Sequence, residues 1–61
     1  MDFTPFIGRN AFNVQSDLRK IFPIYSVELI TPSTILTMDN LEDRIRIMHD
    51  NNNTVMSVRI G

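Results

Sequence analysis

Tyr25-Ser26-Val27-Glu28-Leu29-Ile30-Thr31, then the twelve residues from Pro32 to Asp43, then Arg44-Ile45-Arg46-Ile47-Met48-His49-Asp50 form the stretch whose reading decides the fold. In the first segment Tyr25, Val27 and Leu29 alternate with Ser26 and Glu28, the period of a half-buried strand, and Ile30 adds an apolar residue to the second face. In the second, Ile45 and Ile47 share one face while Arg44 and Arg46 share the other. A connection this long suits parallel pairing, which a tight turn cannot provide. Pro32 ends the first strand, because it cannot donate to a ladder.

Outward from this pair, Ala11, Val14, Leu18 and Ile21 recur at helical spacing, with Gln15, Ser16, Asp17, Arg19 and Lys20 on the other side. The pattern predicts one amphipathic helix from about Ala11 to Phe22, packed through Val14, Leu18 and Ile21 on a sheet containing Val27, Leu29, Ile45 and Ile47. Asn10 is its expected N-cap, Arg19 and Lys20 suit the negative end of the helix dipole, and Pro23 forbids continuation. Phe12 fits neither face. Residues 1–9 read as an irregular ordered arm, punctuated by Pro5 and Gly8, with Phe3, Phe6 and Ile7 available for packing. At the other end Asn51, Asn52 and Asn53 form a polar turn, and Thr54 to Ile60 reads as a last strand with Val58 and Ile60 on one face.

Composition bounds the function classes. At 61 residues the chain is a single domain, 1–61, whose folding buries roughly 60% of the unfolded surface, too little for a deep enzyme cleft. It has no cysteine and one histidine, so neither disulfides, a thiolate zinc site nor a multi-histidine metal cage is available, and no cofactor is implied. The 43% apolar content suits a folded globular chain, and no run approaches the roughly 20 residues of a membrane span. A net charge of -1 argues against nucleic acid, whose phosphates demand clustered cations. His49 and Asp50 are adjacent and, on a strand, would point to opposite faces, which disfavours an acid–base pair. Asp39, Glu42 and Asp43 lack the spacing and glycine of an EF-hand loop.

The segment from Pro32 to Asp43 shows neither helical period nor clean alternation, and long loops of this kind are usually functional or disordered. Its threonines favour extended backbone, and Ile35, Leu36 and Met38 give it apolar content that is as consistent with a core contribution as with an exposed binding loop. Here Thr34-Ile35-Leu36-Thr37-Met38-Asp39, followed by Asp43-Arg44-Ile45-Arg46, resembles the reactive loop and supporting arginines of the potato inhibitor I family of serine protease inhibitors. Phe3, Ile7 and Gly8 in the arm, the helix, Pro23, the first strand and the closing Val58-Arg59-Ile60-Gly61 follow in family order. Leu41, Glu42 and the direct run of Val58 into Arg59 depart from the family pattern, as does Asn13, where an acidic residue would complete a capping box.

The resemblance implies an α+β fold: a single helix packed on a small mixed sheet, with a long exposed reactive loop and no disulfides. It implies a protease-binding loop of Thr34, Ile35, Leu36, Thr37, Met38, Asp39, Asn40 and Leu41, with Met38 as the primary specificity residue and Met38–Asp39 as the reactive bond. Thr37 and Asp39 would be held by Arg44 and Arg46, and the terminal carboxylate of Gly61 would lie near these arginines. Two arginines on one strand face can reach a single loop, and bonds from arginine to Asp39 would be charge-assisted. The implied partners are chymotrypsin-like, subtilisin-like and elastase-like serine proteases, met by a monomer in a secreted or storage compartment. The alternative is an interaction domain on the same fold that binds through an exposed edge strand without inhibiting. Asn52-Asn53-Thr54 also matches a glycosylation sequon, although an ordinary Asn-rich turn is the favoured reading.

Overall fold

The computed structural model describes residues 2–33 and 43–61. After a 3-10 turn at Thr4–Phe6 come helix α1 (Ala11–Ile21) and strands β1 (Ser26–Ile30), β2 (Arg44–His49) and β3 (Val55–Ile60). The three strands form one sheet in the order β1-β2-β3, with β1 parallel to β2 and β2 antiparallel to β3. This is the expected α+β arrangement of one helix on a small mixed sheet.

Local chemistry fixes the helix ends. The Oδ1 of Asn10 accepts the backbone N–H groups of Phe12 at 3.0 Å and Asn13 at 3.2 Å, satisfying donors that have no partner inside the helix. Arg19 and Lys20 occupy the last turn, where the helix dipole favours cations. Phe22 leaves helical geometry just before Pro23 while its N–H still donates to the Leu18 carbonyl at 2.8 Å. The helix is tied sideways to the sheet by Gln15, whose Nε2 donates to the Val27 carbonyl at 3.2 Å.

Ala11, Val14 and Leu18 are fully buried against Val27, Ile45, Ile47 and Val55, and this cluster is the core. Each of the larger side chains gains about 1.5–3 kcal/mol from leaving water, so a handful of them carries most of the stabilisation in so small a domain. Leu29 and Val58 pack at its margin. Ile21 does not join them and is 57% exposed, contrary to the helical spacing. Its place at that end is taken by aromatic packing, with Phe22 edge-on to Tyr25 at 5.8 Å and to Phe3 at 6.4 Å. Ile60 is likewise 40% exposed at the end of its strand.

The arm is anchored at both ends. Phe3 and Phe6 pack against the core, whereas Ile7, expected to do the same, is exposed because the chain turns there to meet β3. Gly8, at φ +86°, allows that turn: its N–H donates to the Val55 carbonyl at 2.8 Å, and the Arg9 carbonyl accepts from Val55 at 2.9 Å. Arg9 lies over the Phe6 ring and meets Asp17 at 3.1 Å, a surface pair worth about 0–1 kcal/mol. At the start of the arm, the Thr4 hydroxyl and then its backbone N–H bond to the Asp2 carboxylate and hold its pKa below the ordinary value. A depressed carboxylate pKa favours the folded form above the ordinary pKa, and that contribution is lost as pH falls through the lowered value.

Candidate functional site

The described part of the candidate site is the N-terminal end of β2, where it meets β1 and Gly61. Thr34, Ile35, Leu36, Thr37, Met38, Asp39, Asn40 and Leu41 all lie outside the described residues, as does Glu42.

Strand alternation sends Ile45 and Ile47 into the core and puts Arg44 and Arg46 on the opposite sheet face, about 6.6 Å apart along the strand. The parallel register sets Arg44 beside Ser26 and Arg46 beside Glu28, while the antiparallel register sets Arg59 on the other side of Arg46. A row of Glu28, Arg46 and Arg59 therefore crosses all three strands. Like charges directly across a ladder repel, and Glu28 supplies the compensating sign within this row. One Arg44 guanidinium nitrogen lies 3.8 Å from a Glu28 carboxylate oxygen, close enough for Coulomb attraction and too long for a good hydrogen bond.

Arg44 is only 8% exposed and Arg46 is half-buried. Arginine is ordinarily a solvated surface residue, and burying a guanidinium is costly without compensating partners. The strand pattern indicated the shared face but not this burial. The Glu28 contact was also absent from the sequence reading. Its signal was the Ser26/Glu28 alternation, which becomes informative only once β1 and β2 are placed in register.

Gly61 reaches the same place. The Gly61 N–H donates to the Arg44 carbonyl at 2.8 Å, continuing the β2–β3 ladder one step past Ile60. Gly61 has φ +119°, backbone that side chains disfavour and glycine accepts. Arg44 is thus bracketed by Glu28 on β1 and by the end of β3.

The opposite end of the sheet has different chemistry. His49 is buried, and its Nδ1 lies 2.8 Å from the backbone carbonyl of Asp50, which can only accept, so that nitrogen carries the proton. The Asp50 carboxylate is turned to the Asn-rich turn, accepting from the N–H groups of Asn52 at 2.8 Å and Thr54 at 2.9 Å. His49 and Asp50 are committed to structure and do not form an acid–base pair. A hollow of about 300 Å³ at this end is lined chiefly by apolar side chains, including Ile30, Pro32, Met48 and Met56.

No protein-family model matches the chain, and no curated protein sequence matches it. Solved structures do. Bitter gourd trypsin inhibitor superposes with a TM-score of 0.84 at 19% identity, covering 93% of this chain and 85% of that one. The likeness is one of fold. The elastase inhibitor AFUEI superposes with a TM-score of 0.75 at 17% identity, covering 95% of this chain and 81% of that one.

Proposed function

We propose that this chain is a serine protease inhibitor that presents residues 34–41 to its target as a substrate-like loop, with Met38–Asp39 as the reactive bond. The observation that supports the reading is that Arg44 and Arg46, which follow the Thr37-Met38-Asp39 motif in the sequence, share one face of β2, with Arg44 buried beside Gly61. Two solved structures of the same fold are a trypsin inhibitor and an elastase inhibitor, which favours the same class of activity.

The chemistry follows from rigidity. A flexible peptide of this sequence is a substrate, because the enzyme binds its transition state better than its ground state. A loop held on both flanks docks without ordering each side chain at about 0.5–1.5 kcal/mol apiece, so binding tightens. If the Met38–Asp39 bond is cut, the new amine of Asp39 stays beside the acyl carbon and reattacks at high effective molarity. Hydrolysis is then slow and reversible. Met38, long and apolar, suits the hydrophobic primary pocket of chymotrypsin-like enzymes and is compatible with subtilisin-like ones, while Ile35 offers a second apolar anchor for subtilisin-like and elastase-like targets.

Titration of chymotrypsin, subtilisin and elastase with the purified protein tests the proposal. Stoichiometric loss of activity against at least one of them is expected. Full activity of all three at a large molar excess of folded protein would overturn it and favour the non-inhibitory interaction domain.

The loop-support role has its own expected result. Arg44→Ala and Arg46→Ala should each weaken inhibition by about 1–3 kcal/mol where the guanidinium bonds are shielded, with the larger effect at the more buried Arg44. Cleavage at Met38–Asp39 should accelerate at the same time, since a loosened loop releases the new amine before it religates. Mass spectrometry of protease mixtures over time reads this directly, and equal cleavage rates in wild type and both variants would remove the arginines from the mechanism.

A further inference from the structure

The turn joining β2 to β3 holds a motif that the inhibitory reading leaves unused. We propose that Asn52 is an acceptor for N-linked oligosaccharide when the chain passes through a eukaryotic secretory pathway. Asn52-Asn53-Thr54 has the required asparagine, a non-proline residue and a threonine. The structure supplies what the motif alone lacks, namely an accessible turn whose reacting groups are not otherwise engaged.

Asn51 and Asn52 are exposed at the tip. Backbone groups and the Asp50 side chain shape the turn: the Asp50 carboxylate accepts from the N–H groups of Asn52 and Thr54, the Asn53 N–H donates to the Asp50 carbonyl at 3.1 Å, and the Asp50 N–H donates to the Thr54 carbonyl at 3.0 Å. Asn53 takes the left-handed conformation at φ 61°, which asparagine tolerates. Neither the Asn52 carboxamide nor the Thr54 hydroxyl makes a hydrogen bond among the described residues, whereas the carboxamide of Asn10 is spent on capping α1. A modified Asn52 therefore leaves every bond of the turn in place.

The reaction takes its second substrate from the host, an oligosaccharide linked through its anomeric carbon to a lipid diphosphate. The Asn52 amide nitrogen bonds to that anomeric carbon, the carbon–oxygen bond to the diphosphate breaks, the lipid diphosphate departs with the electron pair, and the transferase removes one amide proton. Six residues of β2 separate the turn from the end of the sheet that carries Arg44 and Gly61, about 17 Å at the rise of a strand. A glycan at Asn52 thus projects from the opposite end of the domain.

The test is secretion of the full chain from a eukaryotic host behind a cleavable leader, followed by intact mass and peptide mapping. Wild type is expected to gain the mass of an oligosaccharide that an amidase removes, leaving aspartate at position 52 marked with heavy oxygen when the reaction is run in labelled water. Asn52→Gln and Thr54→Val should each abolish the gain, and Thr54→Ser should retain it. Secreted, folded wild type at its unmodified mass would overturn the proposal, as would a mass gain mapped to any other residue. Because mapping is done on the wild-type chain, the result does not depend on either variant folding, and no protease assay enters it.

Discussion

Leu18→Ala is expected to cost about 2–5 kcal/mol, the range for truncating a fully buried leucine that leaves a cavity. A domain of 61 residues has a total stability of only about 3–9 kcal/mol at typical values per residue, so this one change removes a large share of it and, toward the lower end, all of it. Leu18 is fully buried in the cluster that α1 forms with Val27, Ile45, Ile47 and Val55, so truncating it removes contacts to side chains from both layers of the fold. Chemical denaturation followed by far-ultraviolet circular dichroism would show the midpoint falling steeply or the folded baseline vanishing. Ile24→Ala, at a position 89% exposed, is the control and should stay within about 0.5 kcal/mol of wild type. A Leu18→Ala variant within 1 kcal/mol of wild type would mean that the helix–sheet interface is not the core.

Met38→Lys is expected to redirect inhibition. A primary specificity residue is a binding hot spot, and a mismatch with its pocket costs upward of about 2 kcal/mol, roughly thirtyfold in affinity. Lysine places an ammonium where a chymotrypsin-like pocket is apolar and where a trypsin-like pocket holds a carboxylate, so affinity should fall for the first class and rise for the second. Thermal stability should barely change, since a side chain given to the partner's pocket contributes little to the fold. The measurements are paired inhibition constants against chymotrypsin and trypsin, with a thermal melt of each variant. A large drop in melting temperature with unchanged inhibition constants would assign Met38 to the core of this protein and end its role as the specificity residue.

The sequence by itself determined what is encoded by local period and local chemistry. The 3.6-residue spacing of Ala11, Val14 and Leu18 marked the buried helix face, Asn10 and Pro23 marked its limits, and the alternation of Ile45 and Ile47 with Arg44 and Arg46 marked the two faces of β2. Such patterns are legible because neighbouring residues are bound by backbone geometry wherever the element sits. The proposed reactive bond belongs to another kind of reading, because nothing in the periodicity of residues 32–43 separates a binding loop from a core segment and only the family resemblance singles out Met38 and Asp39.

Tertiary structure alone decided the rest. Ile21 has the right spacing for the core and is exposed, because packing between Phe22, Tyr25 and Phe3 closes that end of the domain. Arg44 reads as a surface charge and is buried: strand pairing sets it between Ser26 on β1 and Gly61 after β3, with a Glu28 carboxylate oxygen 3.8 Å from its guanidinium. Residues far apart in the chain meet through strand pairing and helix docking, and the free energy that selects one register is the burial of the whole apolar face at once, a quantity no single segment contains.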